Sequence, residues 1–124
     1  MKIVPLDREY WPRGGFGHWC PGCGHGHEID TEQPNSNKAM WKFNGNMERP
    51  TFTPSVNSRW GKYADPNGGY TDRQSGICHY FITDGKIQYC GDSTHALKGQ
   101  TVDLPDIPDG KYLTSIYKAK QGAR

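Results

Sequence analysis

Apolar and polar residues alternate most regularly in "CHYFITDGKIQYC", Cys78 to Cys90, where two β-prone runs flank Asp84 and Gly85. Alternation is the strand period, and Asp-Gly accepts the positive φ angles of a two-residue turn, so the stretch predicts a β-hairpin. Such a turn pairs Thr83 with Lys86, Ile82 with Ile87 and Tyr80 with Tyr89, and sets His79 opposite Cys90. A three-residue turn ending in a bulge would slip the ladder and bring Cys78 opposite Cys90 instead. The apolar pairing favours the first register. In either one, Cys78 and His79 point to opposite faces of the sheet, so a single metal ion does not take both.

Elsewhere the pattern is shorter. "MKIVPL" predicts a first strand stopped by Pro5, "AMWKFNG" a strand ending at Asn44 and Gly45, and Tyr112 to Tyr117 a last strand. Pro50 and Pro54 keep their stretch extended but out of a central strand. "RWGKYADPNGGYTDRQSG" reads as an exposed loop. No helical period is sustained, and a turn around Thr94 to Leu97 is the nearest approach to one. The fold class is mainly β: a small, loop-rich antiparallel sheet built around a hairpin at about residues 78–90, as one domain over 1–124.

Composition makes that core thin. Leu, Ile, Val and Phe number only 18 in 124 residues, yet the net charge is only +2, and four Trp with seven Tyr supply the large apolar surfaces of a folded chain. A core this sparse offsets chain entropy only marginally, so a covalent or metal staple is expected. Cys20, Cys23, Cys78 and Cys90 can supply it. "MKIVPLDREYWPRGG" contains no apolar run of signal-peptide length, and no segment approaches a membrane span. The expected setting is therefore a cytosol, where thiols stay reduced and metal ligation comes ahead of disulfides.

The chemistry concentrates in "HWCPGCGHGHE", His18 to Glu28. Pro21 and Gly22 between two cysteines make a tight turn whose amides face both sulfurs, the form of a zinc knuckle and half of a tetrahedral site. A redox pair would open a helix, which Gly24 and Gly26 oppose. The remaining ligands have to come from Cys78, His79, Cys90 and His95, or locally from His25 and His27, which on a glycine-flanked loop read more simply as exposed polar residues. His95, just past the hairpin, can swing toward the knuckle. Asp92, Ser93 and His95 do not make a convincing triad, because residues so close along an extended chain rarely converge. "GHGHE" lacks the helical order of a zinc protease.

"FGHWCPGCGHGHEI", "WKFNGNMERPTFTPSV" and "ICHYFITDGKIQYCGDSTHALKGQTVDLPDIP" together resemble a family of small zinc-binding proteins of phages, prophages and bacteria that often carry the label ammonia monooxygenase, a label no residue here supports. The resemblance implies a zinc site of Cys20, Cys23, Cys78 or His79, and His95, and a polar pocket beside it formed by Glu48, Arg49 and Ser55. With Cys78 preferred, the expected ligands of the Zn2+ ion are Cys20, Cys23, Cys78 and His95.

A site closed by four such ligands leaves no position for water. The leading functional expectation is accordingly a protein-binding module directed at a host or phage protein, acting without turnover through Trp11, Phe16, Trp19, Trp60, Tyr63 and Tyr70. The second is a zinc hydrolase, peptidase or deaminase-like, with Glu48, His79 or Asp92 as general base. The third is nucleic-acid binding through aromatic and basic residues.

Overall fold

The computed structural model describes residues 1–64 and 75–108. Among the described residues eight strands form two antiparallel sheets: β1 (Ile3–Pro5), β2 (Gly15–Cys20) and β3 (His25–Asp30) in one, and β4 (Lys42–Phe43), β5 (Phe52–Trp60), β6 (Gly76–Thr83), β7 (Lys86–Tyr89) and β8 (Thr101–Asp103) in the other, each in chain order. A single 3-10 turn, Gly61–Tyr63, follows β5, and there is no α-helix among the described residues. Thr94 to Leu97 remain in bends and turns. The last strand expected at Tyr112 to Tyr117, most of the loop after Trp60, and Tyr70 lie outside the described residues.

The β6–β7 hairpin takes the two-residue register, with Tyr80 opposite Tyr89, Ile82 opposite Ile87 and Thr83 opposite Lys86. Asp84 at φ 51° and Gly85 at φ 76° form the turn that the Asp-Gly pair demands. Alternation then puts Cys78, Tyr80, Ile82, Ile87 and Tyr89 on the buried face and leaves Phe81 and Gln88 outside. Ile3, Cys20 and Ile29 of the first sheet meet Phe52, Val56, Tyr80, Ile82, Ile87 and Tyr89 of the second, with Leu104, in one core. Two tyrosines thus do the work that aliphatic residues do in richer sequences, and both bury their rings with a hydroxyl partner, as apolar burial of a phenol requires.

Two sequence expectations change here. β5 is an interior strand despite Pro54: three residues, Thr53, Pro54 and Ser55, stand opposite the single Phe81, and this bulge lifts the proline out of the ladder. The aromatic surface is also smaller than expected. Trp19 and Trp11 pack on Val4 and Leu6, Trp11 donates its indole N–H to Asp30 at 2.7 Å, and Phe16 packs on Phe43 and Phe52. Only Trp60 and Tyr63 of the named rings are exposed among the described residues.

Candidate functional site

β2 and β3 are joined by the tight turn Pro21–Gly24, closed by the Gly24 amide donating to the Cys20 carbonyl at 2.8 Å. The turn places Cys20 and Cys23 over the inner face of β6, where Cys78 points inward. Cys20 Sγ and Cys78 Sγ are 3.7 Å apart, far beyond a disulfide bond, and all four cysteines are free thiols. Cys20, Cys23, Cys78 and His27 each present one ligand atom within 4.8 Å of the others, a group able to hold a metal ion. Two sulfurs bound tetrahedrally at about 2.3 Å stand roughly 3.8 Å apart, so the Cys20–Cys78 spacing already fits. Hydrogen bonds from Cys23 and then Cys78 hold the Cys20 thiol far below its ordinary value, while the pairing with Cys20 pushes Cys23 up to about 12 and Cys78 higher still. A cation among the three sulfurs would favour the ionised form of each.

His27 rather than His95 is the fourth member of this cluster. His27 lies in β3 directly opposite His18 of β2, not on a loop, and is 8% exposed. Behind it, His18 is fully buried with Nε2 2.7 Å from the Tyr80 hydroxyl; burial, and secondarily His27, lowers its imidazole to about 4, so it stays neutral and braces the His27 ring. His25 is exposed at the turn. His95 comes close but from outside: its Nδ1 accepts the Leu97 amide at 3.2 Å, so its proton lies on Nε2, which faces Cys78 Sγ at 3.5 Å. A ring in that tautomer donates to the sulfur. It lies so near Gly22 that a Cβ there would sit 2.3 Å from the ring, which is why the knuckle needs glycine at that position.

Tyr89 completes the setting. Its hydroxyl is 3.1 Å from Cys20 Sγ and accepts the Gly22 amide at 3.0 Å. Tyr89→Phe is expected to destabilise the fold by about 1–3 kcal/mol, since the Gly22 amide loses its partner, and to weaken metal retention 10- to 100-fold. Thermal melting and competition with a chromophoric chelator would measure both.

On the opposite face of β6 a second constellation forms. His79 Nε2 is 3.2 Å from Ser55 Oγ, and its Nδ1 is 3.1 and 3.2 Å from the two Asp92 carboxylate oxygens. The bulge in β5 sets Ser55 beside His79, whose register partner is Asn57. The turn after β7 brings up Asp92: the Cys90 amide donates to the His79 carbonyl at 2.8 Å, Ser93 Oγ donates to the same carbonyl at 3.1 Å, and the His79 amide donates to Ser93 Oγ at 3.1 Å. Trp41 pins the other side, its indole N–H donating to the Ser55 carbonyl at 3.1 Å. Ser55 and His79 are half-buried and Asp92 is exposed, so the line opens to solvent. Acid, imidazole and hydroxyl in this order are the arrangement that makes a serine hydroxyl nucleophilic.

The residues singled out from the sequence thus divide among three places. Cys20, Cys23 and Cys78 meet in the core with His27, and His95 adjoins them. Ser55, His79 and Asp92 form the line on the outer face. Glu48 and Arg49 line a charged cleft at the hairpin tip with Lys2, Asp84, Lys86 and Asp103. The separation of Cys78 from His79 was legible in the strand alternation, whereas the partnership of His79 with Ser55 and Asp92 was not.

The family model that describes the bacterial ubiquitination-like system serine protease, BubE, matches residues 2–90. The chain belongs to this family. No curated protein and no solved structure matches it. Membership of a serine protease family overturns the expectation of a protein-binding module that acts without turnover. That expectation rested on the sulfur-rich cluster being the whole of the chemistry, and the Ser55–His79–Asp92 line lies on the other face of the same strand. The match ends at residue 90, two residues short of Asp92. No helix among the described residues is long and apolar enough to cross a membrane.

Proposed function

We propose that the chain is a serine protease in which Ser55 is the nucleophile, His79 the general base and Asp92 the carboxylate that orients it, carried on a scaffold stapled by zinc. The observation that carries this reading is the hydrogen-bonded line from Ser55 Oγ through both His79 nitrogens to Asp92 in a member of a serine protease family. His79 Nδ1–H donates a hydrogen bond to Asp92, which leaves the Nε2 lone pair directed at Ser55. As Ser55 Oγ attacks a carbonyl carbon, its proton passes to Nε2; the resulting imidazolium faces the Asp92 charge and returns the proton to the leaving group. Water then repeats the sequence on the acyl-serine ester and frees the enzyme. The substrate is a protein of a bacterial ubiquitination-like system, met in the bacterial cytosol. Phe81, exposed and stacked 6.4 Å from the His79 ring, offers an apolar platform for its side chains.

Zinc is the ion that suits three sulfurs and one imidazole, from Cys20, Cys23, Cys78 and His27, with His95 as a hydrogen-bond donor to Cys78. Four protein ligands saturate a tetrahedral ion, so it supports the fold and leaves hydrolysis to the serine.

A fluorophosphonate probe, which reports an activated serine hydroxyl, tests the reading. It is expected to form one adduct, mapped by peptide mass to Ser55 and lost in His79→Ala. An unlabelled protein, or labelling that maps elsewhere, would overturn it.

A further inference from the structure

We infer that His79, Cys90 and Asp92 form a second, weaker site for a soft divalent cation of the Zn2+ class, and that its occupation reversibly shuts the hydrolytic line. The regulatory half of this inference rests on the serine protease reading; the binding half stands on its own geometry.

The three residues present a nitrogen, a sulfur and an oxygen within 4.8 Å of one another. His79 Nδ1 stands 3.1 and 3.2 Å from the two carboxylate oxygens, and nitrogen and oxygen ligands bound tetrahedrally at about 2.0–2.1 Å stand roughly 3.3 Å apart. Two ligands are therefore already spaced for an ion, and the Cys90 sulfur lies within 4.8 Å of both as the third. The backbone beneath them is held in place: Cys90 N–H and Ser93 Oγ grip the His79 carbonyl, and the Ser93 amide donates to the Cys90 carbonyl at 3.1 Å. Such support lowers the ordering cost of binding. The setting also differs from the core cluster in access. The side chains of His79 and Asp92 are 25% and 46% exposed, so an ion arrives from solvent without opening the fold and keeps water as its remaining ligand.

The consequence for Ser55 follows from proton bookkeeping. A neutral imidazole has one protonated nitrogen and one lone pair. For hydrolysis the proton lies on Nδ1, toward Asp92, and the lone pair on Nε2, toward Ser55. An ion on Nδ1 binds through the lone pair of that same nitrogen, so the proton moves from Nδ1 to Nε2, which then donates to Ser55 Oγ and can no longer accept its proton. The Cys90 thiol releases its own proton to solvent as it binds. No bond to Ser55 is made or broken, and withdrawal of the ion restores the original tautomer.

Zinc titration of protein already carrying its core ion tests this, with bound metal followed by chelator competition and Ser55 reactivity by fluorophosphonate labelling. The expected result is a second bound equivalent and a labelling rate at least about tenfold lower at saturation, recovered when a weak chelator removes the second ion alone. In Cys90→Ala the core ion stays, the second equivalent weakens by about 100-fold or more, and labelling proceeds in the presence of zinc. A native protein that takes up one equivalent only, or a second equivalent unchanged in Cys90→Ala, would overturn the site. A Cys90-dependent second equivalent in a protein that never labels at Ser55 would uphold the cation site and sink the serine protease reading instead.

Discussion

Ser55→Ala is expected to lower kcat/KM on a cleavable substrate by on the order of 10^6 while leaving the thermal melt within about 0.5 kcal/mol of the parent, because a half-buried surface hydroxyl is removed from a strand whose core face is untouched. Asp92→Asn should cost on the order of 10^4, since an amide can donate toward Nδ1 and then favours the tautomer with its proton on Nε2. The two losses should not add. Without the serine hydroxyl, the orientation of His79 has nothing to activate, so the double variant is expected to match Ser55→Ala. Steady-state kinetics on the three variants decide the matter: hydrolysis that survives in Ser55→Ala, or losses that simply add, would show that these residues do not act as one unit.

Removal of the proposed core metal should have the largest effect on stability. Cys20 ends β2 of one sheet and Cys78 lies within β6 of the other, so an ion bound by both ties the two sheets together through the middle of the core. Structural zinc contributes of order 10 kcal/mol to small domains, and a whole domain is stable by about 5–15 kcal/mol. Exhaustive chelation, or Cys78→Ser, is thus expected to abolish the cooperative melt. His27→Ala should lose the ion, whereas His95→Ala should retain it with weakened affinity, because a hydrogen bond to a ligand is lost and not the ligand itself. Metal content by elemental analysis separates the two histidines; an ion lost from His95→Ala and kept in His27→Ala would exchange their roles. A melt indifferent to chelation would remove the structural role altogether.

Local chemistry was legible in the sequence wherever it is settled between near neighbours. The Asp84–Gly85 turn, the pairing of Tyr80 with Tyr89, the Cys20–Cys23 knuckle and the opposite facing of Cys78 and His79 all follow from turn conformation and strand period, which act over a few residues. The inward position of His27 is hidden in the sequence for a related reason. Glycines on either side of His25 suggested a loop, but pairing with β2 turned the segment into a strand and carried His27 inward. Pro54 likewise argued against an interior strand until the bulge in β5 made room for it.

What the sequence by itself determined was the set of chemically able residues and the hairpin that presents them: a β-rich chain, a thin core in need of a staple, and Ser55, His79 and Asp92 each marked as a polar residue of interest. Only the tertiary structure decided that these three stand in one hydrogen-bonded line, and that His27 outranks His95 beside the sulfurs. The physical reason is range. Strand period and turn type are local, but the meeting of Ser55 with His79 depends on how β5 pairs with β6 across a 24-residue separation, and on a bulge whose position no period reveals.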